Sequence, residues 1–164
     1  MKYKKMVMMI GMLVVLFSVI LTACSSNEPK KPEYTKENIT LKFKNESGIK
    51  CYIEISGNSS PSSVLPFSGW ENIINFPTVL KTEIPDGMEK SITVKDVVVS
   101  GKTSSMTVTY QPHLGIKAFC DDSKYKDGFK RFVADSKDQY TGGTFRIKLK
   151  KDQWDDVFDI DFVN

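Results

Sequence analysis

The sequence predicts an all-β fold: an antiparallel β-sandwich of about seven or eight short strands, immunoglobulin-like in architecture, with no family claimed. From Ile39 onward, apolar and polar residues alternate with a period of two over most of the chain, the pattern of strands with one buried face. Turn residues, chiefly Gly, Pro, Ser and Asn, separate these stretches. No stretch has the apolar period of a helix of normal length, so two packed antiparallel sheets fit best.

The first two strands are predicted at residues 39–44 and 49–56, on either side of the turn cluster at residues 45–48. Gly48 in that cluster permits the unusual φ of a tight turn. The two strands are therefore expected to pair as an antiparallel hairpin. The alternating apolar residues are Ile39, Leu41 and Phe43 in the first strand and Ile49, Cys51, Ile53 and Ile55 in the second.

Residues 57–89 are less regular. The composition of residues 57–63 predicts a loop. One or two helical turns are expected at residues 70–75, before Pro77, and a short strand at residues 79–84. Pro85-Asp86-Gly87 is a strong turn signal.

The second half of the chain returns to the period of two. A hairpin turn is predicted at residues 100–103 and a short helix at residues 129–134. The predicted strands are Ile92–Val99, Met106–Tyr110, Ile116–Cys120, Phe145–Leu149 and Phe158–Phe162.

The N-terminus has the composition of an export signal. Three lysines lie within the first five residues, and the stretch that follows, as far as Ala23, contains no charged residue. The next motif, Leu21-Thr22-Ala23-Cys24, resembles the lipobox of bacterial lipoproteins. The resemblance covers only about the first 25 residues. It implies that Cys24 receives diacylglycerol, with palmitate-type acyl chains, and becomes the first residue of the mature protein.

An uncleaved transmembrane anchor is the alternative, because the apolar run of about 18 residues reaches the lower limit for a membrane span. The small residues before Cys24 and the polar Ser25-Ser26-Asn27 after it favour the lipoprotein interpretation. A membrane-anchored, extracytoplasmic location in the cell envelope follows. By the rule of that family, Ser25 in place of Asp permits outer-membrane sorting in a Gram-negative cell.

Three segments follow from this interpretation: a signal peptide at 1–23, a lipidated flexible tether at 24–37 and one β-sandwich domain at 38–164. The tether carries two prolines and too little apolar surface to fold. The three signal-peptide lysines account for the formal charge of +3, so the mature chain is formally neutral. A neutral chain gives no reason to expect nucleic-acid binding.

Two cysteines remain after Cys24. Cys51 and Cys120 both fall on the apolar phase of predicted strands, and export makes a disulfide between facing sheets permissible. Two buried free thiols are the alternative.

Candidates for catalysis are few, and no cofactor is expected. The only histidine, His113, follows Pro112 in a predicted turn, and no G-x-S-x-G motif is present, so neither nucleophilic hydrolysis nor a zinc site is supported. A carbohydrate-active enzyme using paired carboxylates such as Asp121 and Asp155 is kept as an alternative.

Acidic clusters give a further, metal-binding hypothesis. Asp121, Asp122 and Asp127 are calcium candidates, although the stretch does not fit the Asp-rich calcium loop. The acids of the last 13 residues are expected to solvate the final strand and to pair with Arg146, Lys148, Lys150 and Lys151 across neighbouring strands.

Aromatic residues of the irregular stretch are the binding candidates. Phe67, Trp70 and Phe76 would form either an exposed patch or a cap on the core. The expected function is a non-enzymatic envelope module that binds an envelope protein or a glycan. A structural or assembly lipoprotein is the alternative.

Overall fold

The computed structural model describes residues 30–65, 69–133 and 142–164, and these residues form strands joined by turns, with no helix among them. The all-β prediction is therefore confirmed. The strands are β1 (Glu33–Asn45), β2 (Cys51–Pro61), β3 (Ile74–Asn75), β4 (Val79–Ile84), β5 (Glu89–Lys102), β6 (Thr107–Phe119), β7 (Tyr125–Lys126), β8 (Gly128–Val133), β9 (Thr144–Asp152) and β10 (Asp155–Val163).

The strands belong to one continuous curled sheet with the shape of a half-barrel. Its order is β3-β2-β6-β5-β1-β9-β10-β7, with β4 also pairing with β2 and β8 also pairing with β6. Two of the pairings, β1 with β9 and β10 with β7, are parallel. The prediction of an antiparallel sandwich is therefore corrected: the sheet is mixed, and continuous pairing joins its two halves.

Strand β6 joins the two halves of the sheet. Along one edge it pairs with β2 from Tyr110 to Phe119. Along the other it pairs with β5 up to Thr109 and with β8 from His113 onward. Pro112 lies between these last two pairings, where its missing N–H removes no bond from either ladder. The strand therefore runs straight through Pro112, and the turn predicted around His113 is wrong.

The predicted hairpin of the first two strands does not form, although both strands do. β1 pairs with β5 and β9, whereas β2 pairs with β3, β4 and β6. The chain turns a corner at the fully buried Asn45, whose side-chain amide donates to the carbonyls of Ile49 at 2.7 Å and Ile84 at 2.9 Å. These bonds send β2 to the opposite half of the sheet, so the apolar faces of β1 and β2 share one core.

Strand β1 begins inside the segment that was predicted to be a tether. Residues 33–37 pair with β5, from Glu33 opposite Lys102 to Glu37 opposite Val97, with a register shift between Thr35 and Lys36. Tyr34 anchors this part of the strand, because its ring packs edge-on against Tyr110 at 5.7 Å and its hydroxyl accepts a hydrogen bond from the Glu71 N–H at 3.0 Å. A tether ending at residue 37 is therefore too long.

Two apolar clusters hold the described residues together. The larger lies inside the curl, where Phe43 stacks on Phe145 with ring centroids 5.2 Å apart. The smaller contains Trp70, Val98, Val108 and Tyr110, with Tyr34 packed against it. Burial and the hydrogen bond with Tyr34 raise the pKa of the Tyr110 phenol well above its ordinary value.

Some of the predictions for individual turns and helices are confirmed, and others are wrong. The Pro85–Gly87 turn is confirmed, with Gly87 at φ 72° and the Met88 N–H bonded to the Pro85 carbonyl at 3.2 Å. The hairpin turn predicted at residues 100–103 lies a few residues later, because β5 runs to Lys102 and the Thr103 N–H closes the turn on the Met106 carbonyl at 2.8 Å. The helical turns predicted at residues 70–75 are wrong, because Ile74 and Asn75 form β3 against β2. The helix predicted at residues 129–134 is also wrong over its described part, which belongs to β8 and pairs with β6.

The lipidation motif and Cys24 lie outside the described residues. Within the described ranges, no helix is long and apolar enough to cross a membrane.

Candidate functional site

A pocket lies on the outer face of the sheet, where β2, β6 and β8 run side by side. Because successive side chains point to opposite faces, the register brings outward residues of all three strands into rows. In one row Gly115 lies between Ser56 and Arg131, and in the next His113 lies between Asn58 and Val133.

Gly115 lies at the centre of this face, and the Ser56 side chain and the Phe129 ring close over it. A Cβ at this position would lie 3.1 Å from the Ser56 hydroxyl oxygen and 3.2 Å from the Phe129 ring. The glycine therefore lets the Phe129 ring lie against the strand, and the pocket that this ring borders has a volume of about 260 Å³ and is open to solvent. We call it the outer-face pocket. Its lining includes Ser56, Asn58, His113, Gly115, Phe129 and Arg131.

A hydrogen bond to Ser60 fixes the His113 imidazole in the wall of the pocket. The Ser60 hydroxyl and His113 Nε2 are 2.8 Å apart. The buried His113 Nδ1 has no hydrogen-bond partner in the described part of the chain. The pocket therefore contains a ring whose orientation is fixed from one side and whose second nitrogen is left unpaired.

The charge of the pocket is positive. Arg131 is exposed, it lines the pocket, and it forms no ion pair with any described residue. No carboxylate is among the described lining residues. The nearby Lys117 is neutralised by Asp127 at 2.7 Å, and this contact raises the pKa of Lys117. Arg131 is thus a cation with no ion-pair partner among the described residues, and it lies beside the neutral donors of Asn58 and Ser56.

The Ser60–His113 pair does not form a complete nucleophilic site. In hydrolases of the Ser-His-Asp type, a carboxylate bonded to Nδ1 fixes the imidazole in the tautomer that accepts the serine proton. His113 Nδ1 has no such partner among the described residues. Among the described residues, the contact with Ser60 therefore fixes the ring from Nε2 alone.

The aromatic residues predicted to form a binding patch are mostly buried. Trp70 is 9% exposed in the smaller cluster, and Phe76 is 6% exposed in the larger one, where its ring lies against Gly57. The alternative of a cap on the core describes both better, and the exposed-patch hypothesis is corrected for them. Phe67 lies outside the described residues.

Each predicted calcium carboxylate has a separate partner. Asp121 pairs with Lys81 at 2.8 Å, Asp127 pairs with Lys117, and the Asp122 side chain accepts from the Lys124 N–H at 3.0 Å. The Lys81 bond, helped by the Tyr52 hydroxyl, holds the pKa of Asp121 below its ordinary value. Within the described ranges, no three acidic, His or Cys side chains are grouped as a metal site would require.

The carboxylates proposed for glycoside chemistry are also paired elsewhere. Asp155 contacts the Lys126 ammonium, whose pKa it raises, while Asp121 contacts Lys81. Neither carboxylate lines the outer-face pocket. The structure therefore brings neither of them to the candidate site.

Cys51 and Cys120 are both free thiols, so the predicted disulfide is corrected. The last registered pair of β2 and β6 is Tyr52 opposite Phe119, which makes the two cysteines neighbours on adjacent strands rather than partners across facing sheets. Cys120 Sγ instead donates to the Asp122 carbonyl at 3.4 Å. Burial, followed by the nearby Cys120 and Asp86, raises the pKa of Cys51 to about 12.

The β9–β10 hairpin forms a second depression, of about 230 Å³. The register confirms that acids and bases face each other here, with Asp159 opposite Lys148 and Asp161 opposite Arg146. Both cations also reach Glu46, at 3.8 and 3.9 Å. Because opposite charges alternate on this face, it has less net attraction for a charged ligand than the outer-face pocket.

Sequence reasoning missed the residues that build the outer-face pocket. Phe129 and Arg131 fall in the segment predicted to be helical, and neither phase of residues 128–133 is consistently apolar, so no alternation in the sequence marks this strand. Gly115, a lone glycine within an apolar strand pattern, was the available signal, because such a residue marks a close approach.

Comparison with family models, curated proteins and solved structures found no significant match to this chain.

Proposed function

We propose that this chain is a lipid-anchored, extracytoplasmic, non-enzymatic binding module whose ligand occupies the outer-face pocket. The observation that carries the proposal is the pocket itself. Three paired strands hold the His113 ring, the Asn58 amide and Arg131, which has no ion pair among the described residues, around one pocket. Polar groups that converge on a pocket and are held by rigid elements are typical of ligand sites.

Two features support binding rather than catalysis. The Ser60–His113 contact lacks the third group that would make the imidazole a general base. The acids kept for a carbohydrate-active enzyme, Asp121 and Asp155, are each bonded to a lysine. A paired carboxylate is a poor general acid, because the neighbouring cation favours its ionised form.

The anchoring part of the proposal is supported by the lipobox-like Leu21-Thr22-Ala23-Cys24 and by the start of β1 at Glu33. The segment between the lipidated Cys24 and β1 would reach at most roughly 30 Å when fully extended. The module would therefore work close to the membrane surface, where envelope polymers and other envelope proteins are its available partners.

One observation favours a second candidate, a structural or assembly lipoprotein. Trp154 is 88% exposed in the two-residue turn between Asp152 and Asp155 of the β9–β10 hairpin. A tryptophan exposed at a rigid turn is suited to anchor a protein contact. In the first candidate the ligand binds in the outer-face pocket, and in the second the partner binds at the Trp154 turn. Variants at these two places therefore distinguish the candidates.

The test uses the full-length lipidated protein, extracted from membranes in detergent and applied to an array of envelope glycans and inorganic anions. We expect binding that Gly115→Val abolishes, because valine would push the Phe129 ring and the Ser56 hydroxyl away from Gly115, and that Thr109→Val leaves unchanged. Thr109 is an exposed residue of the same strand and serves as the control for an exposed valine in β6. Equal binding by both variants, each with a wild-type melting temperature, would refute the pocket as the ligand site.

The anchor has its own test, Cys24→Ala. We expect this variant to lose fatty-acid labelling and membrane association. Unchanged labelling in the variant would overturn the lipoprotein assignment without bearing on the pocket.

A further inference from the structure

We propose that the ligand of the outer-face pocket is an acidic sugar residue, a single pyranose ring bearing a carboxylate, presented by an envelope polysaccharide. This inference rests on the proposed function and specifies its ligand class. Three independent properties of the pocket point to it: its charge, its aromatic wall and its volume.

The positive charge of the pocket favours an anionic ligand. Arg131 offers a planar fork of N–H donors that matches a carboxylate with two parallel bonds. No described carboxylate competes for it, whereas the neighbouring Lys117 is already paired with Asp127. An acidic ligand would therefore neutralise Arg131 without displacing an existing ion pair.

The aromatic side of the pocket, formed by Phe129, favours a ligand that contains a ring over a bare anion. Phe129 is 69% exposed although it belongs to the paired strand β8, and its ring lies over Gly115. A flat apolar ring with an exposed face is the complement of the C–H face of a pyranose. Inorganic phosphate or sulfate would leave this wall unused, so an anion alone fits the pocket less well.

The polar lining and the volume of the pocket also fit an acidic sugar. Asn58, Ser56 and the His113 ring line the side of the pocket toward β2, where sugar hydroxyls would find both donors and acceptors. The volume of about 260 Å³ equals that of roughly nine waters, which suits one ring rather than an extended oligomer.

The test is calorimetric titration of the full-length protein in detergent with galacturonate and glucuronate. Glucose, galactose, inorganic phosphate and an acidic peptide serve as comparison probes. We expect both uronates to bind at least tenfold more tightly than any comparison probe, since one charge-assisted bidentate contact corresponds to about tenfold or more. Binding should weaken as salt rises, because Arg131 is exposed to screening.

Two variants separate the parts of the inference. Arg131→Gln should lower uronate affinity about tenfold or more, and Phe129→Ala should lower it by a similar factor. Arg146→Gln and Trp154→Ala remove the same groups elsewhere on the described surface and should leave affinity unchanged. All four positions are at least partly exposed, so the variants should fold.

The outcomes distinguish this inference from the proposed function. If galactose binds as tightly as galacturonate, and Gly115→Val abolishes both, the pocket is a ligand site but the acidic-sugar inference is wrong. Tighter binding of phosphate or of the acidic peptide in the same pocket would likewise make the pocket a ligand site and the acidic-sugar inference wrong. If no probe binds and Gly115→Val changes nothing on the glycan array, both proposals fail.

Discussion

Arg131 lies directly opposite Gly115 in the antiparallel pairing of β8 with β6. In such pairs the side chains of facing residues are close neighbours on one face of the sheet. Because Gly115 has no side chain, the Phe129 ring and the Ser56 hydroxyl approach the strand at this point, in the row that also contains Arg131. This pairing brings together the cation and the aromatic ring on which the proposed binding site depends.

The buried stack of Phe43 on Phe145 predicts a large loss of stability on truncation. Phe43 is fully buried between β5 and β9, and Phe43→Ala should lower the free energy of unfolding by about 3–5 kcal/mol. Urea unfolding followed by circular dichroism measures the change. Trp154→Ala, the matched exposed aromatic, should change it by less than about 0.5 kcal/mol. Equal losses for the two variants would contradict the assignment of the core.

The corner at Asn45 gives a second stability prediction. Asn45→Ala should cost about 1–3 kcal/mol, because it leaves the buried Ile84 carbonyl and the part-buried Ile49 carbonyl without the Asn45 donor. Asn38→Ala provides the control, since Asn38 is exposed and accepts only a 3.4 Å bond from the Asp96 N–H. A corner variant as stable as this control would show that the turn does not depend on the buried amide.

The two free thiols should differ in reactivity. Burial raises the pKa of Cys51 to about 12, so at neutral pH it is a protonated, inaccessible thiol, whereas Cys120 is partly exposed. Because the thiolate is the reactive species, iodoacetamide should modify Cys120 first, and Cys51 only after unfolding. Peptide mass spectrometry of the native protein measures both sites. Faster labelling of Cys51 would contradict its burial.

The same raised pKa predicts a loss of stability in alkali. The folded state holds the Cys51 proton more tightly than the unfolded chain, whose thiol titrates near 8.5. Its contribution is therefore complete below about pH 8.5 and declines as the pH rises towards 12. Cys51→Ala should flatten this part of the profile of unfolding free energy against pH. A variant with the wild-type slope would refute the assignment.

The Lys81–Asp121 ion pair predicts the opposite dependence, in acid. The Lys81 bond lowers the pKa of Asp121, so the contribution of the pair is present above the unfolded pKa of about 3.9 and is lost as the pH falls below it. Carboxyl NMR titration should place Asp121 below an ordinary aspartate. Lys81→Met should raise its pKa, while Lys124→Met, on the same exposed surface, should not. No shift in Lys81→Met would show that the pair does not hold in solution.

The sequence was informative about strands because alternation is a local property. Ile53 and Ile55 face inward in β2, and Phe145 and Ile147 do so in β9, as their spacing predicts. Pairing is not local: the cluster at residues 45–48 was read as a hairpin turn, and only the buried hydrogen bonds of Asn45 with distant carbonyls show that it is a corner. The boundary of the tether was missed for the same reason, since Tyr34 finds its partners at Glu71 and Tyr110.

The candidate site was not predictable from any single segment. Its residues come from positions 56–58, 113–115 and 129–131, and no spacing within one segment marks them. Register alone brings Ser56, Gly115 and Arg131 into one row. Two of the aromatic residues predicted from the sequence to bind a ligand, Trp70 and Phe76, are instead buried in the two apolar clusters, because large apolar side chains also suit a core.

The most direct test of the central claim is a map of backbone amide NMR shifts of the isotope-labelled full-length protein during titration with galacturonate. The proposed site predicts that the largest shifts fall on the amides of Asn58, Gly115 and Arg131 and that they saturate together. Shifts concentrated at the Trp154 turn, or no saturable shifts at all, would contradict binding in the outer-face pocket.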